Sequence, residues 1–106
     1  MSLADQKCVP CRGGVAPLKG EKLEEYHQHV PAWEVVNEHH ISRTWKFPDF
    51  AKALEFVNRV GALAEQEGHH PWIHFTWGTV RIELWTHKIN GLHESDFILA
   101  AKIDRL

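Results

Sequence analysis

Several things are scarce in this sequence, and each scarcity removes a class of function. Neither sign of charge is in excess: 12 Lys and Arg against 14 Asp and Glu leave a net charge of −2. Nucleic acid is therefore not expected as the main partner. No apolar run approaches the length of a membrane span, and the N-terminus has no apolar stretch of the signal-peptide kind. No membrane partner and a cytoplasmic location are the expectation. Cysteine occurs twice, as Cys8 and Cys11 in "CVPC". A zinc ribbon needs a second ligand pair, and a thioredoxin-like motif needs a strand before it and a helix after it. Neither context is present, so the pair reads as two reduced thiols on a flexible leader, residues 1–17. There is no nucleophile elbow, no readable Ser-His-Asp order and no Gly-rich phosphate loop.

What remains is ordinary globular composition, 43% hydrophobic and 25% charged, in a length suited to one core. The folded domain is expected over residues 18–106. The stretch "PLKGEKLEEYHQHVPAW" sets Leu23, Tyr26, His27 and Val30 on one helical face, and Pro31 ends it. Two alternating runs divided by "NEHH" predict a hairpin, with His39 and His40 as solvated turn residues. A long helix follows, starting near Pro48. Its expected stripe is Phe50, Ala53, Leu54, Val57, Val60, Gly61 and Ala64, with Gly61 accepted for close packing and Gly68 as the C-terminal cap.

Beyond Pro71, "WIHFTW" and "TVRIELW" alternate on either side of Gly78 and predict a second hairpin. Ile73, Phe75 and Trp77 share one face of the first run, and Val80, Ile82 and Leu84 one face of the second. Trp85 falls with Arg81 and Glu83 on the opposite face, which suggests an interface or a pocket wall. The segment "HESDFILAAKIDRL" predicts a last helix with Phe97, Leu99, Ala100 and Ile103 inward. Asp96 in its first turn suits the helix dipole and can reach back to a free amide. The order α-β-β-α-β-β-α predicts an α+β fold, a four-stranded antiparallel sheet with helices packed on one face. The other face stays open to a second copy.

The chemistry-bearing stretch is "EGHHPWIHFTWGTVRIELWTHK". His70 precedes Pro71 and is pushed to extended geometry. Pairing about Gly78 returns His87, expected at the end of the last strand, to the neighbourhood of His69 and His70. Three imidazoles so assembled suit a metal or acid–base catalysis, or are packed or solvated without a chemical role. Adjacent histidines in extended chain point apart, and the helical His-x-x-x-His spacing is missing, which disfavours metal. Trp72, Trp77 and Trp85 would stack on a flat heterocycle, although each taken singly reads as a core or interface aromatic.

With Glu65, then His69-His70-Pro71, Trp77, His87 and Asp96 in this order and spacing, the chain resembles the pterin-4a-carbinolamine dehydratases of bacterial type. The likeness extends from about Leu18 to Asp104. It implies dehydration of 4a-hydroxytetrahydrobiopterin to quinonoid dihydrobiopterin, which recycles the pterin of aromatic amino acid hydroxylases, without metal or other cofactor. It further implies His69 and His87 as proton donors, His70 as substrate holder and possible base, and Pro71 and Thr86 as pocket walls. Glu65, Trp77 and Asp96 would support them. A homodimer or homotetramer, and a functional link to phenylalanine hydroxylase, belong to the same implication. Two positions depart from many relatives: Trp72 after the proline, and His93 where a capping Ser or Thr is common, so that Ser95 is an alternative cap. The other function class is a pterin-binding or regulatory dimerisation protein without catalysis.

Overall fold

The computed structural model describes residues 2–9 and 13–106; Cys11 lies outside the described residues. Helix α1 (Gly20–His27) is followed by strands β1 (Glu34–Val36) and β2 (His40–Lys46), and helix α2 (Phe50–Glu67) comes next. Strands β3 (Trp72–Thr76) and β4 (Thr79–Leu84) lead to helix α3 (Glu94–Ile103). The expected α+β order is realised as one antiparallel sheet of order β1-β2-β4-β3. Strand β4 is thus central, and its Val80, Ile82 and Leu84 are wholly buried. Period-two alternation explains why a single face of this strand supplies so much core.

The α2 boundaries follow from its caps. The Asp49 carboxylate accepts the Lys52 N–H at 2.8 Å, so Asp49 is the N-cap and Pro48 precedes the helix rather than opening it. Gly68 closes it at φ 65°, a left-handed conformation that favours glycine. The buried stripe is Ala53, Phe56, Val60 and Ala64. Phe56 belongs to it, whereas Phe50 and Leu54 are exposed. A side chain at Gly61 would meet nothing within 4 Å, so close packing does not account for this glycine. Gly78 is different: a Cβ there would approach the Phe47 carbonyl oxygen to 2.7 Å. The β3–β4 turn can press against the end of β2 only with glycine at that position.

Helix α3 is buried on nearly every side, Ile98 included, because α1, α2 and the N-terminal segment pack on it and its apolar residues share one core with those of the sheet. Its N-cap is His93, whose Nδ1 accepts the Ser95 N–H at 3.2 Å. Reciprocally, the Asp96 carboxylate accepts the His93 N–H at 2.9 Å, completing a capping box. Ser95 is not the cap; its hydroxyl is engaged by Val9. Residues 2–9, expected within a loose leader, pack on α3. Leu3 and Ala4 in a 3-10 turn are buried, and the Lys102 ammonium donates to the Ala4 carbonyl at 2.9 Å.

Candidate active site

Where the chain leaves α2, His69 and His70 occupy the short link to β3, and Pro71 leads into that strand. His87 does not end a strand. Strand β4 stops at Leu84, and His87 opens a 3-10 turn, His87–Ile89, after the isolated bridge between Thr86 and Gly91. Hairpin pairing still returns it to the start of β3. His69, His70, Thr86 and His87 line one cleft of about 320 Å³, which Trp85 and Val9 also border.

Asp96 organises the floor of this site. Its carboxylate is fully buried and receives three donors. His69 Nε2–H donates to Oδ1 at 2.6 Å. The Thr86 hydroxyl and the His93 N–H both donate to Oδ2 at 2.9 Å. Such a full shell offsets the cost of burying a charge. An ionised carboxylate only accepts, so His69 carries its proton on Nε2 and keeps Nδ1 for other chemistry. Imidazole and carboxylate joined this way let the ring take and return a proton while the carboxylate compensates the charge.

His70 turns outward, as alternation in an extended chain requires. Its Nε2 pairs with the Glu65 carboxylate on the last turns of α2, and both side chains are largely exposed. His87 lies against two indoles, with centroid distances of 5.0 Å to Trp85 and 5.9 Å to Trp72. Those indoles stack at 5.4 Å with planes 9° apart. Trp72 is paired with Glu83 across the ladder, so Trp85 is its diagonal neighbour on the open sheet face, within reach of large rings. The expected pocket-wall role of Trp85 agrees with this placement.

Trp77 is an expected site residue that the fold does not bring in, and Pro71, expected as a pocket wall, is not among the residues lining the cleft. Trp77 sits 65% exposed in the β3–β4 turn, at the far end of the hairpin from the histidines. Five strand residues at ~3.3 Å each separate the two ends. His39 and His40, expected to be solvated, are half-buried against Trp85, at 5.2 and 5.8 Å. Glu83 accepts from His74 Nε2 at 2.6 Å and faces His40 Nε2 at 3.5 Å. Period-two reading put Glu83 on the Trp85 face but gave no register between β2 and β4, and so did not bring His40 to it.

Among the described residues no group of three or more His, Cys, Asp or Glu is disposed to hold a metal ion. Cys8 is no candidate nucleophile either. Burial and the neighbouring Glu67 carboxylate push its thiol up to about 12, leaving it protonated at neutral pH.

Known proteins resemble this chain along nearly all its length. The family described as "Pterin 4 alpha carbinolamine dehydratase" matches residues 16–106. A protein of Rubrobacter xylanophilus, provisionally named a pterin-4-alpha-carbinolamine dehydratase, is 60% identical over 104 residues, covering 98% of this chain and 97% of that one. A relative from Methylococcus capsulatus with the same provisional name is 51% identical over 106 residues, covering 99% and 93%. Among solved structures, a transcriptional coactivator/pterin dehydratase from Brucella melitensis superposes with a TM-score of 0.78 at 30% identity, covering 84% of this chain and 96% of that one. A pterin dehydratase-like protein identified as a RuBisCO assembly factor in the alpha-carboxysome gives 0.61 at 25% identity, covering 70% and 87%. On sequence and fold together, the chain belongs to the pterin 4 alpha carbinolamine dehydratase family, a family of hydro-lyases.

Proposed function

We propose that the protein dehydrates 4a-hydroxytetrahydrobiopterin to quinonoid dihydrobiopterin, using its histidines as general acids and base. The observation that carries this reading is the single cleft lined by His69, His70, Thr86 and His87, with His69 held by a buried carboxylate. Loss of the bridgehead hydroxyl requires a proton on oxygen as the C–O bond breaks, and the ring must give up a proton from nitrogen. One proton is delivered to the leaving water and one is taken from nitrogen, so the reaction is proton-neutral overall, and exchange with solvent returns the donor and the base to their starting protonation. His69, in its imidazolium form with Asp96 compensating the charge, and His87 are assigned as donors on the two sides of the ring, and His70, paired with Glu65, as substrate holder and base. Thr86 shapes the pocket, with Asp96 behind His69.

Recycling of a pterin for an aromatic amino acid hydroxylase, phenylalanine hydroxylase in particular, fits this chemistry. A cytoplasmic setting is part of the same reading; among the described residues no helix is long and apolar enough to cross a membrane. Assembly as a homodimer or homotetramer would use the open sheet face and the edge strands β1 and β3.

A binding or assembly role is the second reading, favoured by the described functions of the two structural neighbours. The retained histidine trio favours catalysis, since binding alone does not require three imidazoles. The test is decay of freshly generated 4a-hydroxytetrahydrobiopterin with and without protein. Acceleration over the spontaneous rate, saturable in substrate, is expected; an unchanged rate leaves the binding reading alone.

A further inference from the structure

Val9 borders the cleft although it lies before the segment that defines the family. Its backbone is held from both sides by one side chain. The Val9 N–H donates to the Ser95 hydroxyl at 2.9 Å, and that hydroxyl donates to the Val9 carbonyl at 2.9 Å. Ser95 is itself buried in the first turn of α3, next to Asp96. One residue earlier, the Cys8 N–H donates to Glu67 Oε1 at 3.0 Å, and the thiol reaches the Ser95 carbonyl at 3.5 Å. Glu67 is almost fully buried and faces the Lys102 ammonium at 3.8 Å, which in turn holds Ala4. The segment is therefore fastened at Ala4, Cys8 and Val9.

The Val9 side chain does not share in this anchoring. It is 53% exposed and is absent from the hydrophobic core, which Leu3 and Cys8 both join. A backbone fixed at both polar atoms holds this half-exposed aliphatic group beside the cleft. The side chain supplies a branched aliphatic surface to a cleft otherwise bordered by three imidazoles, an indole, the Thr86 hydroxyl, Gly68 and Lys88. Small-molecule sites combine apolar walls with a few placed polar groups, and here Val9 adds an aliphatic wall to the aromatic one that Trp85 supplies.

We infer that Val9 is a substrate-contacting residue that packs on the bound pterin, and that the Ser95 hydroxyl is the positioning group that keeps it there. This inference rests on the dehydratase reading and adds a binding wall from outside the family-defined segment. The same turn of α3 then fixes two things at once: Asp96 holds the proton carrier, and Ser95 holds the wall.

The test uses the full-length protein, with steady-state dehydration kinetics and, separately, tryptophan-fluorescence titration with 7,8-dihydrobiopterin. Val9→Ala is expected to raise KM and the dihydrobiopterin Kd together by about 3- to 10-fold, the scale of losing partly buried methyl groups. Its kcat should stay within about two-fold, because a wall binds ground and transition states alike. Ser95→Ala should move KM in the same direction. In Val9→Ala/Ser95→Ala the two effects should fall short of multiplying, since Ser95 acts through Val9. Thermal midpoints of all three variants control for loosening of α3. An active wild type with KM and Kd unchanged in Val9→Ala overturns the wall and leaves the dehydratase reading standing. A wild type that neither turns over nor binds dihydrobiopterin overturns both.

Discussion

His69 and His70 each engage a carboxylate through Nε2, yet Asp96 is 0% exposed whereas Glu65 is 78% exposed. One residue of extended chain separates a dyad sealed under α3 from a dyad in solvent. A buried, fully donated carboxylate has one geometry open to it, so it can hold an imidazole to the precision that proton transfer needs. An exposed pair is screened by water and pays side-chain entropy for its contact, so it contributes little to stability. Proximity in sequence thus predicts nothing about equivalence of role. The side of the chain on which each ring emerges decides it.

The largest effect that would sharpen this contrast is on turnover. Asp96→Asn and His69→Ala should each lower kcat by about 10²–10³-fold, the usual worth of a positioned acid–base group. Single-turnover measurements would check this, and losses below ten-fold in both would remove the dyad from the mechanism. Next comes stability. Asp96→Ala strands the donors of His69, Thr86 and His93 and should cost about 3 kcal/mol in urea unfolding. Glu65→Ala should cost less than about 0.5 kcal/mol. Equal costs would break the comparison. Smaller again, His70→Ala should act mainly on KM, by roughly ten-fold, and Glu65→Gln by no more than about two-fold in kcat/KM. A Glu65→Gln variant as damaged as Asp96→Asn would mean that solvent exposure does not rank the two pairs.

Much of the frame could be read from residue order because it rests on local chemistry. The period of β4, the glycine cap at Gly68 and the turn at Gly78 are short-range signals, and from them came the approach of His87 to His69. Trp77 was misplaced because a motif records order along the chain, while the hairpin sends that position to its far tip. The docked N-terminal segment was hidden for another reason. Its fastenings join residues 59 and 86 positions apart, and neither Glu67 nor Ser95 advertises such a partner locally. The clustering of His39 and His40 on Trp85 needed the β2–β4 register, which alternation alone does not supply.

The double bond-taking of Asp96 has a consequence for lineage. The oxygen that accepts the His93 amide starts α3, and its companion steers His69. A descendant released from pterin chemistry would still be under pressure to fold, and folding alone would keep this aspartate. Among the described residues, the His69 side chain has no such second partner. When a member of the family drifts from enzyme to scaffold, the imidazole is what should vanish first, and an aspartate left behind marks ancestry rather than activity.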